Sequence, residues 1–340
     1  MHKEILIIAE IAQAHDGSIA RAHQYIEALA KTGVDSVKFQ VHIAEAESSA
    51  YEPFRVQLSS ADKTRYDYWK RMEFTKTEWK ALKKHCNDLG VEFLASPFSN
   101  AAVDLLEQLG VKRYKVGSGE VSNWLMLEKI AQTGKPLILS TGMSSWEELD
   151  KTVSFLKNRK VDFSILQCTT AYPTQPEQYG LNMISELKKR YQITVGYSDH
   201  SAKVETCIAA AALGAEILEF HAVFDQNEIG PDATSSLTID EITVLVKGVR
   251  NIKTALDNPV NKNSIEQYQE LKTMFGKSLA VNKTLPKGHI LAFNDLEAKK
   301  PAGYGIPAQQ FQRLIGMKLG VDKNQWDFLK EEDVSSISID

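Results

Sequence analysis

The sequence predicts an α/β chain: a (β/α)8 barrel followed by a small β-rich domain. Three observations predict it. Eight short apolar runs punctuate the first two-thirds of the 340 residues. Segments with helical spacing separate the runs, and several close with Gly. Most of the chemically capable side chains fall at or just beyond the ends of the runs, where a parallel barrel carries its chemistry.

In chain order, the runs are Ile5–Ala9 before Glu10, Ser36-Val37 before Lys38, Val91–Ala95 before Ser96, and Arg113-Tyr114 before Lys115. They continue with Pro136–Leu139 before Ser140, Phe163–Leu166 before Cys168, Ile193–Val195 before Ser198 and His200, and Ile217-Leu218 before Glu219 and His221. Between them, Ala22-Tyr25-Ile26-Leu29, Trp79-Leu82-Cys86, Val103-Leu106-Leu109 and Val204-Ile208-Ala211 carry the three-to-four spacing of one buried helix face. Gly33, Gly90, Gly110, Gly134 and Gly214 stand where a left-handed C-cap would end a helix before the next strand. An open doubly wound sheet shares this repeat, but polar groups after nearly every unit favour closure into a barrel.

The stretch from His42 to Met72, with Glu45, Glu47, Glu52, Pro53 and the cluster Tyr66, Tyr68 and Trp69, reads as a long loop over the strand-end face. After a helix around Leu237 to Leu256, the chain turns polar at Asp257–Asn263, and helical spacing resumes from Ile265. β-prone pieces at Ser278–Val281 and Asp295–Ala298 then alternate with Pro286-Lys287-Gly288 and Pro301-Ala302-Gly303 turns. The expected division is a catalytic barrel over 1–256, a linker and helix over 257–275, and a β-rich domain over 276–340. So small a domain is marginal alone, which points to packing against the barrel or another subunit.

A net charge of -4 gives no basic footprint for nucleic acid or an anionic membrane, so a small-molecule partner is expected. No apolar stretch reaches the ~18 residues of a membrane span, and Met1–Glu4 carry no signal-peptide pattern, which predicts a cytoplasmic protein. Cys86, Cys168 and Cys207 are widely spaced and form no CxxC pair. They suggest neither a disulfide framework nor a closed zinc site.

Strand side chains alternate, so Lys38 and Gln40 face one side of their run while Val37 and Phe39 face the other. Apolar residues belong against the helices, which sends Lys38 and Gln40 inside the barrel, and likewise Lys115 and Gly117. An interior Lys is costly without an anionic partner. Two such lysines, with Ser118, Ser140 and Ser198 as donors, suit a bound phosphate or carboxylate. Alternatively the lysines pair with Glu10 and Glu120 as structural salt bridges. Gly117-Ser118-Gly119-Glu120 offers a donor-rich turn of the kind that binds anions. His200 and His221 end neighbouring runs and form a half-site for Mn²⁺, Fe²⁺, Co²⁺ or Zn²⁺. Asp232 follows in Gly230-Pro231-Asp232, either holding a substrate hydroxyl or serving its own turn. Thr169–Pro173 offer hydroxyls and a ring to a sugar-like ligand.

Taken together, Lys38-Phe39-Gln40, Ser96-Pro97-Phe98, Tyr114–Glu120, Ser140–Met143, Cys168-Thr169, Tyr172-Pro173, Gly196–His200 and Gly230–Asp232 give the chain its family likeness. It resembles the sialic acid (nonulosonate) synthases. Phe275–Ser278, Pro301–Gly305 and Leu314–Gly316 look like that family's C-terminal antifreeze-like (SAF) domain. The resemblance implies condensation of phosphoenolpyruvate with an N-acetylated hexosamine, N-acetylmannosamine or a 6-deoxy diacetamido relative, giving a nonulosonic acid (sialic, legionaminic or pseudaminic) and phosphate. It implies that His200 and His221 hold a divalent metal, usually Mn²⁺ with Mg²⁺ or Co²⁺ as options. Lys38, Lys115, Ser118, Ser140 and Ser198 would bind phosphoenolpyruvate. Glu120 would lie beside its reacting end, Glu10 and Asp232 near the sugar and the attacking water, and Gln40, Ser96, Thr170 and Tyr172 in the same pocket. Lys300 would reach the partner's sugar site in a domain-swapped homodimer. Gln167, Thr170, Phe220, Ala233 and Lys300 depart from the family's usual residues and bear on which sugar is read. The rival expectations are another phosphoenolpyruvate aldol synthase making 3-deoxy sugar acids, and a noncatalytic carbohydrate-binding homologue.

Overall fold

The computed structural model describes residues 4–57 and 62–336. The chain divides into two units, Met1–Pro259 and Val260–Asp340. In the first, β1 (Leu6–Glu10), α1 (Ile19–Ala30), β2 (Ser36–Val41), α2 (Ala44–Glu47), α3 (Arg65–Met72), α4 (Lys76–Asp88), β3 (Glu92–Pro97), α5 (Asn100–Leu109) and β4 (Tyr114–Val116) follow in order. Next come α6 (Trp124–Gln132), β5 (Leu137–Ser140), α7 (Trp146–Asn158), β6 (Phe163–Cys168), α8 (Met183–Tyr191), β7 (Val195–Asp199), α9 (Val204–Ala212), β8 (Ile217–Val223), β9 (Ser236–Thr238) and α10 (Ile239–Asp257). The eight strands pair in parallel in the order β3-β2-β1-β8-β7-β6-β5-β4, with β9 added beside β8. β3 and β4 lie side by side without a ladder, so the barrel is nearly closed. At that seam Arg113 donates two hydrogen bonds to Glu92, at 2.9 and 3.0 Å. This charge-assisted fork ties the strands where backbone bonds do not.

Period-two alternation sorts each strand. Ile7, Val37, Phe39, Phe93, Tyr114, Leu139, Ile165, Tyr197, Leu218 and Phe220 face outward and merge with the buried faces of the helices into the main core. Inside, Ile8, Leu94, Ile138, Leu166 and Ile217 form a separate apolar plug. Two residues along each of those strands stand Glu10, Ser96, Ser140, Cys168 and Glu219. One step of the pleat therefore converts a dry plug into a polar floor. On β7 the plug position is Gly196, where a Cβ would lie 2.3 Å from the Ile217 carbonyl oxygen and 2.5 Å from Leu166 Cδ2. Only a residue without a side chain fits there.

The helices end as expected. Gly110 is a left-handed C-cap with φ 68°, and Gly33, Gly90, Gly134 and Gly214 share the positive φ. Capping boxes at Thr75/Glu78, Ser145/Glu148 and Thr238/Glu241 start α4, α7 and α10. Two expectations need correction. Several strands run past their apolar runs, β2 to Val41 and β8 to Val223, so Lys38, Glu219 and His221 lie within strands and not beyond them. The segment from His42 to Met72 is not all loop: Tyr66, Tyr68 and Trp69 sit on α3, whose N-cap Thr64 and Asp67 form a further capping box. Positions 58–61 of that segment, and Met1–Lys3, lie outside the described residues.

In the second unit a one-turn helix at Glu266–Tyr268 and α11 (Gln269–Phe275) precede β10 (Ser278–Val281), which pairs antiparallel with β11 (Leu296–Lys299). After α12 (Phe311–Leu314), β12 (Lys318–Leu319) pairs with β13 (Val334–Ser335). Leu279, Val281, Leu285, Leu291, Ile306, Leu314, Leu319 and Leu329 make its core. Among the described residues no helix is long and apolar enough to cross a membrane.

Candidate active site

Above the polar floor a cavity of about 560 Å³ opens at the carboxyl ends of the strands. Its floor is a buried charge network. Lys38 Nζ lies 2.8 Å from Glu10 and 3.4 Å from Glu219, and Lys115 Nζ lies 3.2 Å from Glu219. Lys115 also donates to Ser140 Oγ at 2.7 Å, and Ser198 Oγ to Glu219 at 3.0 Å. Two cations and two carboxylates balance, which is how four charges tolerate this depth. Burial alone would neutralise each of them. For Lys38 the attraction of Glu10 and Glu219 outweighs burial and raises the ammonium. For Glu10, burial is outweighed by Lys38, His221 and Lys115, and for Glu219 by Lys115 and Lys38, so both carboxyls stay below their ordinary range. Lys115 is the exception: burial, with repulsion from Lys38, lowers it despite Glu219.

The lysines are therefore paired, Lys38 with Glu10 as expected, but neither with Glu120. Glu219 takes the place foreseen for Glu120, whose Oε2 instead accepts from Asn123 at 2.7 Å. Burial, with the nearby charge of Glu47, raises the Glu120 carboxyl. Ser118 Oγ accepts from the Gly142 amide at 2.9 Å. A Cβ on Gly142 would meet Thr170 Oγ1 at 2.5 Å, Ser118 Oγ at 2.9 Å and Cys168 Sγ at 3.1 Å, so the absence of a side chain lets three polar groups converge. Ser96 Oγ is buried in the cavity lining without a protein partner.

One wall carries the imidazoles. The rings of His200 and His221 stand 5.2 Å apart. His200 Nδ1 lies 2.9 Å from the Thr169 carbonyl oxygen. A carbonyl can only accept, so Nδ1 carries a proton, which leaves Nε2 as the nitrogen that can ligate once it gives up its own proton. His221 Nδ1 is buried without a hydrogen-bond partner, and its Nε2 lies 3.4 Å from Glu10. Burial lowers the His221 ring toward its neutral, ligating form. These donors fit a divalent cation. They are two: among the described residues no three His, Cys, Asp or Glu side chains gather into a group that could hold a metal ion. Burial opposes charge on Cys168 and His200, yet their mutual attraction lowers the thiol and raises the imidazole to about 9.

The remaining expected residues divide clearly. Gln40 donates to Glu10 at 2.7 Å, and Tyr172 packs 4.3 Å from the His200 ring. Asp232 lies at the mouth, its Oδ2 3.9 Å from His221 Nδ1. Phe220 points away, buried in the outer core, and Ala233 does not line this cavity. Lys300 belongs to the second unit, its Nζ 5.0 Å from the Phe275 ring centroid. Sequence reasoning assigned no role to Glu219, Gln13, His42, Arg55 or Trp69, all of which line the cavity. Glu219 and His42 were within its reach, since each shares strand parity with an assigned neighbour, His221 or Gln40. Gln13 bonds to Gln40 at 2.6 Å, and His42 stacks between Trp69 and Phe98 at 3.7 and 4.4 Å.

A (β/α)8 barrel with ion-paired lysines under a polar mouth, and two imidazoles beside them, has the makings of a barrel enzyme for a small polar substrate. Comparison with known proteins specifies which: the chain belongs to the NeuB family, whose model matches residues 25–261. It is 34% identical to human N-acetylneuraminate-9-phosphate synthase over 96% of this chain and 91% of the relative. It is likewise 34% identical to N,N'-diacetyllegionaminic acid synthase of Campylobacter jejuni, over 92% and 95% of the two chains. Among solved structures, the N-acetylneuraminic acid (sialic acid) synthetase of Leptospira borgpetersenii in complex with citrate superposes with a TM-score of 0.70 at 30% identity, covering 79% of this chain and 92% of that one.

Proposed function

We propose that this enzyme condenses phosphoenolpyruvate with the open-chain aldehyde of an N-acetylated hexosamine, N-acetylmannosamine or a 6-deoxy diacetamido relative, to yield a nonulosonic acid and phosphate. One observation carries the reading: relatives named as synthases of such acids match over nine-tenths of the chain, and in this chain the Glu10-Lys38-Glu219-Lys115 floor and the histidine pair share one cavity. Carbon 3 of phosphoenolpyruvate bonds to the aldehyde carbon, whose oxygen takes up a proton. Water adds to the cationic C2 and loses a proton, and the resulting hemiketal phosphate expels phosphate to leave the ketone.

Lys38 engages two carboxylates and keeps one of its three N–H donors for substrate. With Lys115, Ser118, Ser140 and Ser198 it would hold the phosphate and carboxylate of phosphoenolpyruvate in a preorganised frame. Glu10, fixed by Gln40 and held ionised, faces the positive charge that develops at C2. Glu120, whose carboxyl burial raises and whose Oε1 Asn123 leaves over, is the carboxyl suited to proton transfer. Ser96, Thr170, Tyr172 and Asp232 would line the sugar. His200 and His221 would hold the divalent metal, Mn²⁺ before Mg²⁺ or Co²⁺, which when bound supplies Lewis-acid polarisation of the aldehyde. The second unit is read as an antifreeze-like SAF domain, and the assembly as a cytoplasmic, domain-swapped homodimer in which Lys300 approaches the partner's sugar side.

The test is a panel of acetamido hexoses incubated with phosphoenolpyruvate and Mn²⁺, followed by phosphate release and product mass. A product carrying both carbon skeletons is expected with at least one sugar. Phosphate release with none of them would refute the reading.

A further inference from the structure

At the cavity mouth one side chain joins three segments that are distant in sequence. Arg55, from the stretch between α2 and α3, donates from Nη2 to Asp232 Oδ1 at 2.6 Å and to the Pro231 carbonyl at 3.0 Å. Its guanidinium carbon lies 4.3 Å from the centroid of the Tyr172 ring. Tyr172 follows β6 and packs on His200, while Asp232 follows β8 and turns its other oxygen toward His221. A carboxylate held at one oxygen by a guanidinium has a defined direction for the second. A ring covered by a cation is likewise fixed in plane. Among the described residues Nε and Nη1 of Arg55 make no bond to protein, so further donors remain for a ligand at the mouth.

We infer that Arg55 is a positioning residue for the acceptor sugar: it orients Asp232 and Tyr172 as one wall, and so sets affinity for the sugar without touching the phosphoenolpyruvate floor. The inference rests on the condensation proposed above and deepens it. It is separable because, among the described residues, Lys38, Lys115 and Ser140 make no hydrogen bond or ion pair with Arg55.

The experiment is steady-state kinetics of the full chain, varying each substrate in turn, for wild type, Arg55→Ala and Arg55→Lys, with added guanidinium ion as a rescue arm and thermal melting as control. Loss of a charge-assisted hydrogen bond predicts that Arg55→Ala raises KM for the sugar on the order of tenfold. KM for phosphoenolpyruvate should stay within about twofold and the melting temperature should be unchanged, because the Arg55 side chain is 40% exposed and solvent screens its ion pair. Lysine should restore only part of the loss, for want of a planar fork, and millimolar guanidinium should restore more in the Ala variant than in the Lys variant. An unchanged KM for the sugar, an equal rise in both KM values, or a lower melting temperature accounting for the loss would overturn the inference. If wild type turns over no acetamido sugar, the parent reading fails and this inference falls with it; an active wild type whose Arg55→Ala variant keeps its sugar KM sinks the inference alone.

Discussion

Replacing Glu219 by Gln would break the charge balance of the floor while keeping its shape. Glu219 is 2% exposed and is shared by Lys38, Lys115 and Ser198. Lys38 would keep Glu10 at 2.8 Å, but Lys115 would keep only Ser140 and weak carbonyl contact. Removing one partner of a buried pair typically costs about 3–5 kcal/mol. The cavity above admits water, which places the expected loss near the lower end, about 3 kcal/mol, or on the order of 10 °C in melting temperature. A second change, Lys115→Met, removes the stranded cation. Urea unfolding of the two single variants and the double should show that the double recovers about 1 kcal/mol or more relative to Glu219→Gln. The double should still lack phosphate release, because Lys115 is assigned to substrate. If Glu219→Gln unfolds at wild-type urea concentration, or the double is no more stable than the single, the floor is not a charge-balanced network.

Three further outcomes are expected. Gly196→Ala places a methyl 2.3 Å from a backbone oxygen in the plug and should destabilise the barrel by about 1–3 kcal/mol or more, read by urea unfolding. Glu10 has a depressed folded pKa, so its stabilising contribution is full above the ordinary value of 4.5 and is lost as pH falls below it. The stability gap between wild type and Glu10→Gln should therefore be constant near neutrality and shrink in acid; a gap that widens below pH 4.5 would contradict the sign. Finally, His200→Ala and His221→Ala should each weaken Mn²⁺ binding, followed by the electron paramagnetic resonance of free Mn²⁺, by at least about tenfold. Wild-type affinity in both variants would remove them from the metal site.

Much of this molecule is written in the period of its strands. Parity alone places Lys38, Gln40 and Lys115 inside, and the same parity applied two residues beyond the plug places Glu219 inside with them. What stayed hidden depends on side chains meeting across the barrel. Glu120 is close to Lys115 in sequence, yet the one-turn helix Ser118–Glu120 carries it toward Asn123. Phe220 departs from the residue the family usually carries, yet its position in the pleat points it into the outer core, away from the sugar. Arg55 lies in a polar stretch with no periodicity, so nothing local in the sequence predicts its reach across to Asp232. α3 escaped notice because it is short, and its apolar side chains make a small satellite cluster with Ala44 instead of a long amphipathic stripe.

The central claim is that water adds to C2 of phosphoenolpyruvate and that phosphate departs with its bridging oxygen. Running the condensation in ¹⁸O-labelled water with Mn²⁺ and an accepted acetamido hexose, and weighing the released phosphate, tests this directly. Phosphate without the label, released in step with a product containing both carbon skeletons, is the predicted result. Phosphate that carries one labelled oxygen, or that appears without the condensed acid, would contradict it.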